Sequence, residues 1–182
     1  IPFSGLIGRC ATRLLPEHLA PNENIPAHYR SVLDKNTLDT PALALACVQR
    51  EIHRMLLLTQ DMMLPIMNLF ERYDKKQNKK IIENNKRLND AFDGIRHYSS
   101  ELSQHVTSNS HRRQLRHLIE FAIAIESAGN IFAKTLSPLA LTRAKEGLHF
   151  SIKGLSELED MHDRLIANIS LAGNVLVSRD VD

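Results

Sequence analysis

The chain has 182 residues, 43% of them hydrophobic, with a formal net charge of +2; that is enough apolar material for a real core and too little charge to demand a nucleic-acid partner. Seven glycines, seven prolines and no tryptophan, in a background of Leu, Ala, Glu, Lys and Arg, favour helices over strands. The two cysteines, Cys10 and Cys47, have no metal-ligand spacing and read as free thiols of a reducing compartment.

The opening residues 1–15 are apolar up to Arg9, with Arg13 four positions on. About eight residues before the first charge are too few to span a bilayer, which takes roughly twenty. Two arginines do suit the inner end of a preceding transmembrane helix, so the segment is expected to be a juxtamembrane stub of a longer protein; a core-packed amphipathic helix is the alternative. The charges follow the apolar run, so a signal peptide is not expected. Residues 16–40 hold three prolines and many turn formers without sustained periodicity, and are expected to form an extended linker.

From Pro41 the pattern is helical. Asp39 or Thr40 is placed to cap a helix that Pro41 starts. Leu45, Val48, Ile52, Met55, Thr59, Met62, Ile66 and Leu69 alternate three and four apart, an apolar seam interrupted by one threonine. Pro65 should bend or break this helix, which ends near Asp74. A second helix is expected from about Gln77 to Val106, on Ile81, Leu88, Phe92, Ile95, Leu102 and Val106, with Asn85 and Ser99 in the same stripe. A third is expected from about Arg112 to Leu136, on Leu115, Leu118, Ala122, Ile125, Gly129, Phe132 and Leu136. Ser137 and Pro138 should then break the chain. A fourth helix is expected from near Leu139 to about Val177, carrying Leu148, Ile152, Leu155, Leu158, Met161, Leu165, Ala172 and Leu176. Short breaks between long helices imply antiparallel neighbours, hence an up-down bundle.

Shifting the first helix by 106 positions aligns it with the last and pairs Glu51 with Glu157, Met55 with Met161, Asn68 with Asn174 and Asp74 with Asp180. This spacing is that of one three-helix unit followed by the start of another. Units at 41–137 and 138–182 are therefore expected, the second truncated after its first helix. Such an incomplete unit points to a homodimer that buries the last helix.

Local chemistry is sparse. The basic groups Lys75, Lys76, Lys79, Lys80, Lys86 and Arg87, and His111, Arg112, Arg113 and Arg116, read as solvated helix faces. They lack the interleaved aromatics that stack bases, so no nucleic acid is expected. Nine histidines are scattered without zinc spacing. Glu159 and His162 make a single Glu-x-x-His, whereas a di-iron bundle needs two plus further glutamates. Glu159 and Asp163 read as part of a solvated acidic face, and Glu101 and His105 as a surface pair. No nucleophile elbow or glycine-rich phosphate loop is present, so the chain is not expected to be an enzyme.

The segments PFSGLIGRCATRLLP and LDTPALALACVQREIHRM resemble the junction in bacterial sodium/phosphate cotransporters where the membrane domain passes into a cytoplasmic PhoU-like domain. IIENNKRLND in the second helix and AIESAGNIF in the third resemble that family's acid-rich signatures, with Asn85 and Asn130 at positions where acids are usual. The resemblance implies an all-α, PhoU-like up-down bundle of long antiparallel helices. It implies a regulatory or structural role in sodium-dependent phosphate transport, on the cytoplasmic side of the inner membrane. The implied partner is the membrane domain of the same transporter, which would hold sodium and phosphate. A free-standing phosphate-signalling adaptor is the alternative.

PhoU-like proteins can hold metal clusters on paired acids, since residues four apart share a helix face. Glu126, Asn130 and Asn85 are thus the candidate metal positions, for a divalent or iron-type ion. Two asparagines in place of acids remove two charges that would offset such a cation, and a polar pair across a helix interface is the competing reading. Gly129 beside them reads as a close helix contact.

Overall fold

The computed structural model describes residues 30–178. Among the described residues six α-helices follow one another: α1 (Pro41–Met63), α2 (Ile66–Glu71), α3 (Lys75–His105), α4 (Asn109–Ile131), α5 (Ser137–Glu146) and α6 (Ile152–Ser178). No strand occurs among the described residues, and the architecture is the expected all-α bundle.

The helix α1 is the hub. Every residue of its predicted seam is buried, from Leu45 to Leu69, and the helix buries Ala44, Cys47, Leu58 and Met63 besides. It is covered on several sides because α3, α4 and α6 all pack against it. Pro65 does separate α1 from α2: it sits at the start of α2, where its missing N–H leaves no gap in a helical ladder. In α3 the predicted stripe is buried apart from Phe92, which is half-buried; Asp74 opens this helix by accepting from the backbone N–H groups of Lys76 and Gln77. Asn85 of α3 meets Asn130 of α4, and Leu88 meets Gly129, so these helices run antiparallel.

The segment around Ser137 and Pro138 differs from the sequence expectation. The chain does not break there. A π-helical turn, Phe132–Leu136, joins α4 to α5, and the Ser137 N–H donates to Phe132 O. The wider turn carries the helix into Pro138, which lies in the first turn of α5, where a proline needs no donor. The break falls instead at Gly147, whose φ of 64° is the left-handed conformation that ends helices. Ser151 then opens α6 by accepting from the Gly154 N–H at 3.0 Å. The single fourth helix expected from Leu139 to Val177 is therefore two.

The helix α6 lies antiparallel to α1. His162 Nε2 lies 3.0 Å from Met63 O, Gln60 Nε2 donates to Ser170 Oγ, Gly173 faces His53 and Leu56, and Gln49 Nε2 donates to Leu176 O. With one main neighbour, it leaves Ile152, Met161 and Leu165 of its predicted core stripe exposed, and Leu148 just before it.

Residues 30–40 also depart from expectation. They are no free linker but a strap docked on the bundle: Lys35 pairs with Glu101 at 2.7 Å, and Asp39 lies 3.3 Å from His105. The surface pair expected between Glu101 and His105 is thus replaced by two contacts to the strap. Thr40 occupies the N-cap of α1 without a side-chain cap bond, while Asp39 is turned toward α3. The predicted stub at 1–15 and the linker from 16 to 29 lie outside the described residues.

Candidate functional site

Two buried polar groups organise the bundle. The first joins α3 to α4. Asn85 Nδ2 donates to Asn130 Oδ1 at 3.3 Å, and Asn130 Nδ2 donates to Glu126 Oε1. The three candidate metal positions therefore do come together, as a relay of amide donors ending on one carboxylate. Gly129 lies within it: a Cβ there would stand well inside contact with Leu88 Cδ2 and 3.4 Å from Asn85 Oδ1. The missing side chain is what lets α3 and α4 approach closely enough for the relay to form.

Whether this donor set suits a metal can be judged atom by atom. Asn85 Oδ1 and Asn89 Oδ1 are buried and accept no hydrogen bond, so two hard oxygens are available. Asn130 Oδ1 and Glu126 Oε1, however, already accept from N–H groups. Glu126 is the only carboxylate of the four, and no three His, Cys, Asp or Glu side chains converge to hold a metal among the described residues. One negative charge does not fit a multinuclear iron-type cluster, which needs several anionic ligands. The chain as purified should carry no stoichiometric iron, zinc or manganese by plasma mass spectrometry. Asn85→Asp with Asn130→Asp should bind manganese about tenfold or more tighter than the parent chain, because ligand charge sets affinity in oxygen sites; equal affinity would show that charge is not what limits the site.

The second group lies under the strap. Glu51 is fully buried and Arg54 is 6% exposed. Arg54 Nε and Nη2 donate to Glu51 Oε1 at 3.0 and 2.5 Å, and the backbone N–H of Val32 donates to Oε2 at 2.8 Å. The carboxylate so ties α1 to the strap. Nearby, the Tyr98 hydroxyl bonds to Thr37 Oγ1 at 2.6 Å and donates to Asp34 O at 3.0 Å. Cys47 is buried and free, with Arg50 Nη2 donating to its sulfur at 3.3 Å.

Burial, the largest influence, pushes the Tyr98 hydroxyl above its ordinary value of 10.0. The folded state holds this proton more tightly than the unfolded one, so the contribution is complete below pH 10 and fades as pH rises through the folded pKa. Tyr98→Phe should lower stability by about 1 kcal/mol at neutral pH through the lost bonds to the strap. Urea midpoints compared at pH 8 and pH 10.5 should then show the alkaline loss larger in the parent chain than in the variant.

Sequence reasoning placed the α3–α4 relay but did not assign the Glu51–Arg54 pair. Its signal was a charge pair three apart beside Ile52 and Met55, inside an otherwise apolar seam. Elsewhere, His162 is occupied by Met63 O and by Asp163 at 3.6 Å, and Arg164 pairs with Asp160 at 2.9 Å. Glu159, the carboxylate of the Glu-x-x-His motif, is solvent-exposed.

Residues 52–134, from the middle of α1 into the π-helical turn, match the family model of the PhoU domain. This stretch is similar to a PhoU domain. The matched span of the PhoU domain includes the whole Asn85–Asn130–Glu126 relay, whereas α5 and α6 lie beyond it.

The full chain is also similar to the "Putative inorganic phosphate export protein YjbB" of Salmonella typhimurium, at 28% identity over 184 residues, covering 100% of this chain and 33% of the relative. Proteins of the same name from Escherichia coli O157:H7 and Escherichia coli K12 are 28% identical over 182 residues with the same coverage. The chain thus spans one third of the length of the curated relatives it matches. No solved structure matches it at a significant level.

Proposed function

We propose that this chain is the regulatory or structural domain of a sodium-dependent phosphate transporter, held on the cytoplasmic face of the inner membrane by a membrane domain of the same protein. The observation that carries this reading is the similarity of the whole chain, PhoU domain included, to one third of proteins named for phosphate export. Phosphate and sodium would be handled by the membrane domain. In this reading the helical domain does no chemistry of its own and acts through its packed surfaces.

Two features of the chain support a role through contacts rather than catalysis. The polar side chains of the two groups described above bond mainly to one another, Glu51 with Arg54 and the Val32 N–H, Asn85 with Asn130, and Asn130 with Glu126. None of the helices described is long and apolar enough to cross a membrane, so crossing would fall to other parts of the protein. Reading the parent gene upstream of the Ile1 codon tests the arrangement. Several apolar spans of about twenty residues each are expected there. An initiation codon directly before Ile1 would instead favour a free-standing adaptor that binds a separate partner.

A further inference from the structure

Between residues 152 and 176 of α6 only Gly173 is buried. The helix meets the bundle along Leu158, His162, Ile166, Ile169 and Leu176, yet a second stripe runs beside that one: Met161, Leu165, Asn168, Ala172 and Val175, spaced four and three apart in turn. This is the period of a helix–helix seam. Met161, Leu165 and Val175 are 53%, 43% and 39% exposed. Shifted by 106 positions, the same stripe falls on Met55, Thr59 and Met62 of α1 and on Ile66 and Leu69 of α2, all of which are buried. Apart from Ala172, which packs against the core, the register that is covered in α1 and α2 is open in α6.

The charges around this seam are divided along its length. Between α6 and α4 lies an open groove of about 860 Å³ with Leu118, Phe121, Leu171 and Val175 among its apolar walls and Arg113 and His117 at its rim. The rim lies toward the C-terminal end of α6. The N-terminal half carries the exposed acids Glu157, Glu159, Asp160 and Asp163, and it stays net acidic although Lys153 pairs with Glu157 and Arg164 with Asp160. A parallel pairing of two such helices would set acid beside acid. An antiparallel one sets each acidic half against the other copy's basic rim.

We propose that α6 is a self-association surface, which pairs with α6 of a second copy in antiparallel fashion about a two-fold axis at Asn168. In this register Leu165 of one copy lies on Ala172 of the other, Met161 on Val175, and large side chains meet small ones or gaps. The two Asn168 side chains face each other, and a polar pair in an apolar seam fixes register and orientation at some cost in stability. The interface is isologous, so every contact occurs twice. It does not depend on the phosphate reading, since it rests on the surface of α6 and the adjoining groove of α4.

Sedimentation velocity on the 182-residue chain tests this directly. A concentration-dependent dimer is expected, and Leu165→Asp should abolish it with circular dichroism unchanged. Arg113→Glu should weaken the dimer by about tenfold, the loss of one charge pairing repeated twice, and Asp160→Arg in the same chain should restore it to within about threefold. Asn168→Cys, at an exposed position, should form an interchain disulfide under oxidation that the parent chain does not form. A monomer up to about 100 μM, or a dimer indifferent to Leu165→Asp, would overturn the surface; failed charge rescue together with no Asn168→Cys cross-link would overturn the antiparallel register, and a different partner for α6 would then be indicated.

Discussion

Replacing Arg54 by Met should destabilise the bundle by about 3 kcal/mol or more, the usual consequence of breaking a buried ion pair from one side. Glu51 has no exposed surface, so its charge cannot turn to water when the guanidinium is lost. It would keep a single N–H, that of Val32, where it now accepts three. A methionine of comparable length fills the space but supplies no donor. Replacing both partners, Arg54→Met with Glu51→Leu, should cost less than Arg54→Met alone, because the stranded carboxylate is gone as well. Urea denaturation of the two variants and the parent chain decides the matter. A loss under about 1 kcal/mol for Arg54→Met would mean that the pair contributes no more than a surface salt bridge.

The second large effect is expected at Gly129. Its missing Cβ is the space into which Leu88 packs, and Leu88 is completely buried. Gly129→Val should therefore cost about 3 kcal/mol, at the upper end of what overpacking costs in a filled core. Gly129→Ala sets two opposing effects against each other: relief of glycine's poor helix propensity is worth about 1 kcal/mol, while the new methyl forces Leu88 aside. In the parent chain the clash should win. In a Leu88→Ala background the same substitution should become stabilising by about 1 kcal/mol, since only the propensity remains. If Gly129→Ala behaved alike in both backgrounds, the close α3–α4 contact would not be what selects glycine there.

Much of this fold could be read from periodicity because one neighbour pattern dominates each long helix. The stripes of α1, α3 and α4 are buried almost residue for residue, since a single apolar face facing a common core is what hydrophobic spacing encodes. The joints were less legible. Pro65 breaks its helix and Pro138 does not; the difference is the π-helical turn at Phe132–Leu136, which carries the chain on to Ser137, whose hydroxyl donates to Asn78 at the start of α3. The strap at residues 30–40 resembles a linker by composition. It is ordered through long-range bonds to Glu51, Tyr98 and Glu101, none of which a local pattern can show.

The candidate site was legible in position and only partly in chemistry. Spacing placed Glu126 and Asn130 on one face of α4 and the family resemblance singled out Asn85; the structure brings the three side chains together. Amide donors and acceptors pair with each other in a way that carboxylates cannot, so the same backbone positions form a relay here. Ile152, Met161 and Leu165 of α6 belong to the expected core stripe and are exposed, because a periodic apolar face says that a helix wants a neighbour and not which chain provides it.

Under the proposed function, this helical domain governs phosphate movement by a membrane domain in the same protein. The most direct measurement is radiolabelled phosphate flux in cells carrying the parent gene, with and without the segment encoding residues 30–178, at matched membrane levels of the protein. Removing the segment should change the flux by about threefold or more, or abolish its response to intracellular phosphate, a coupling of the usual allosteric size. Flux and response both unchanged, with the truncated protein present in the membrane, would contradict it.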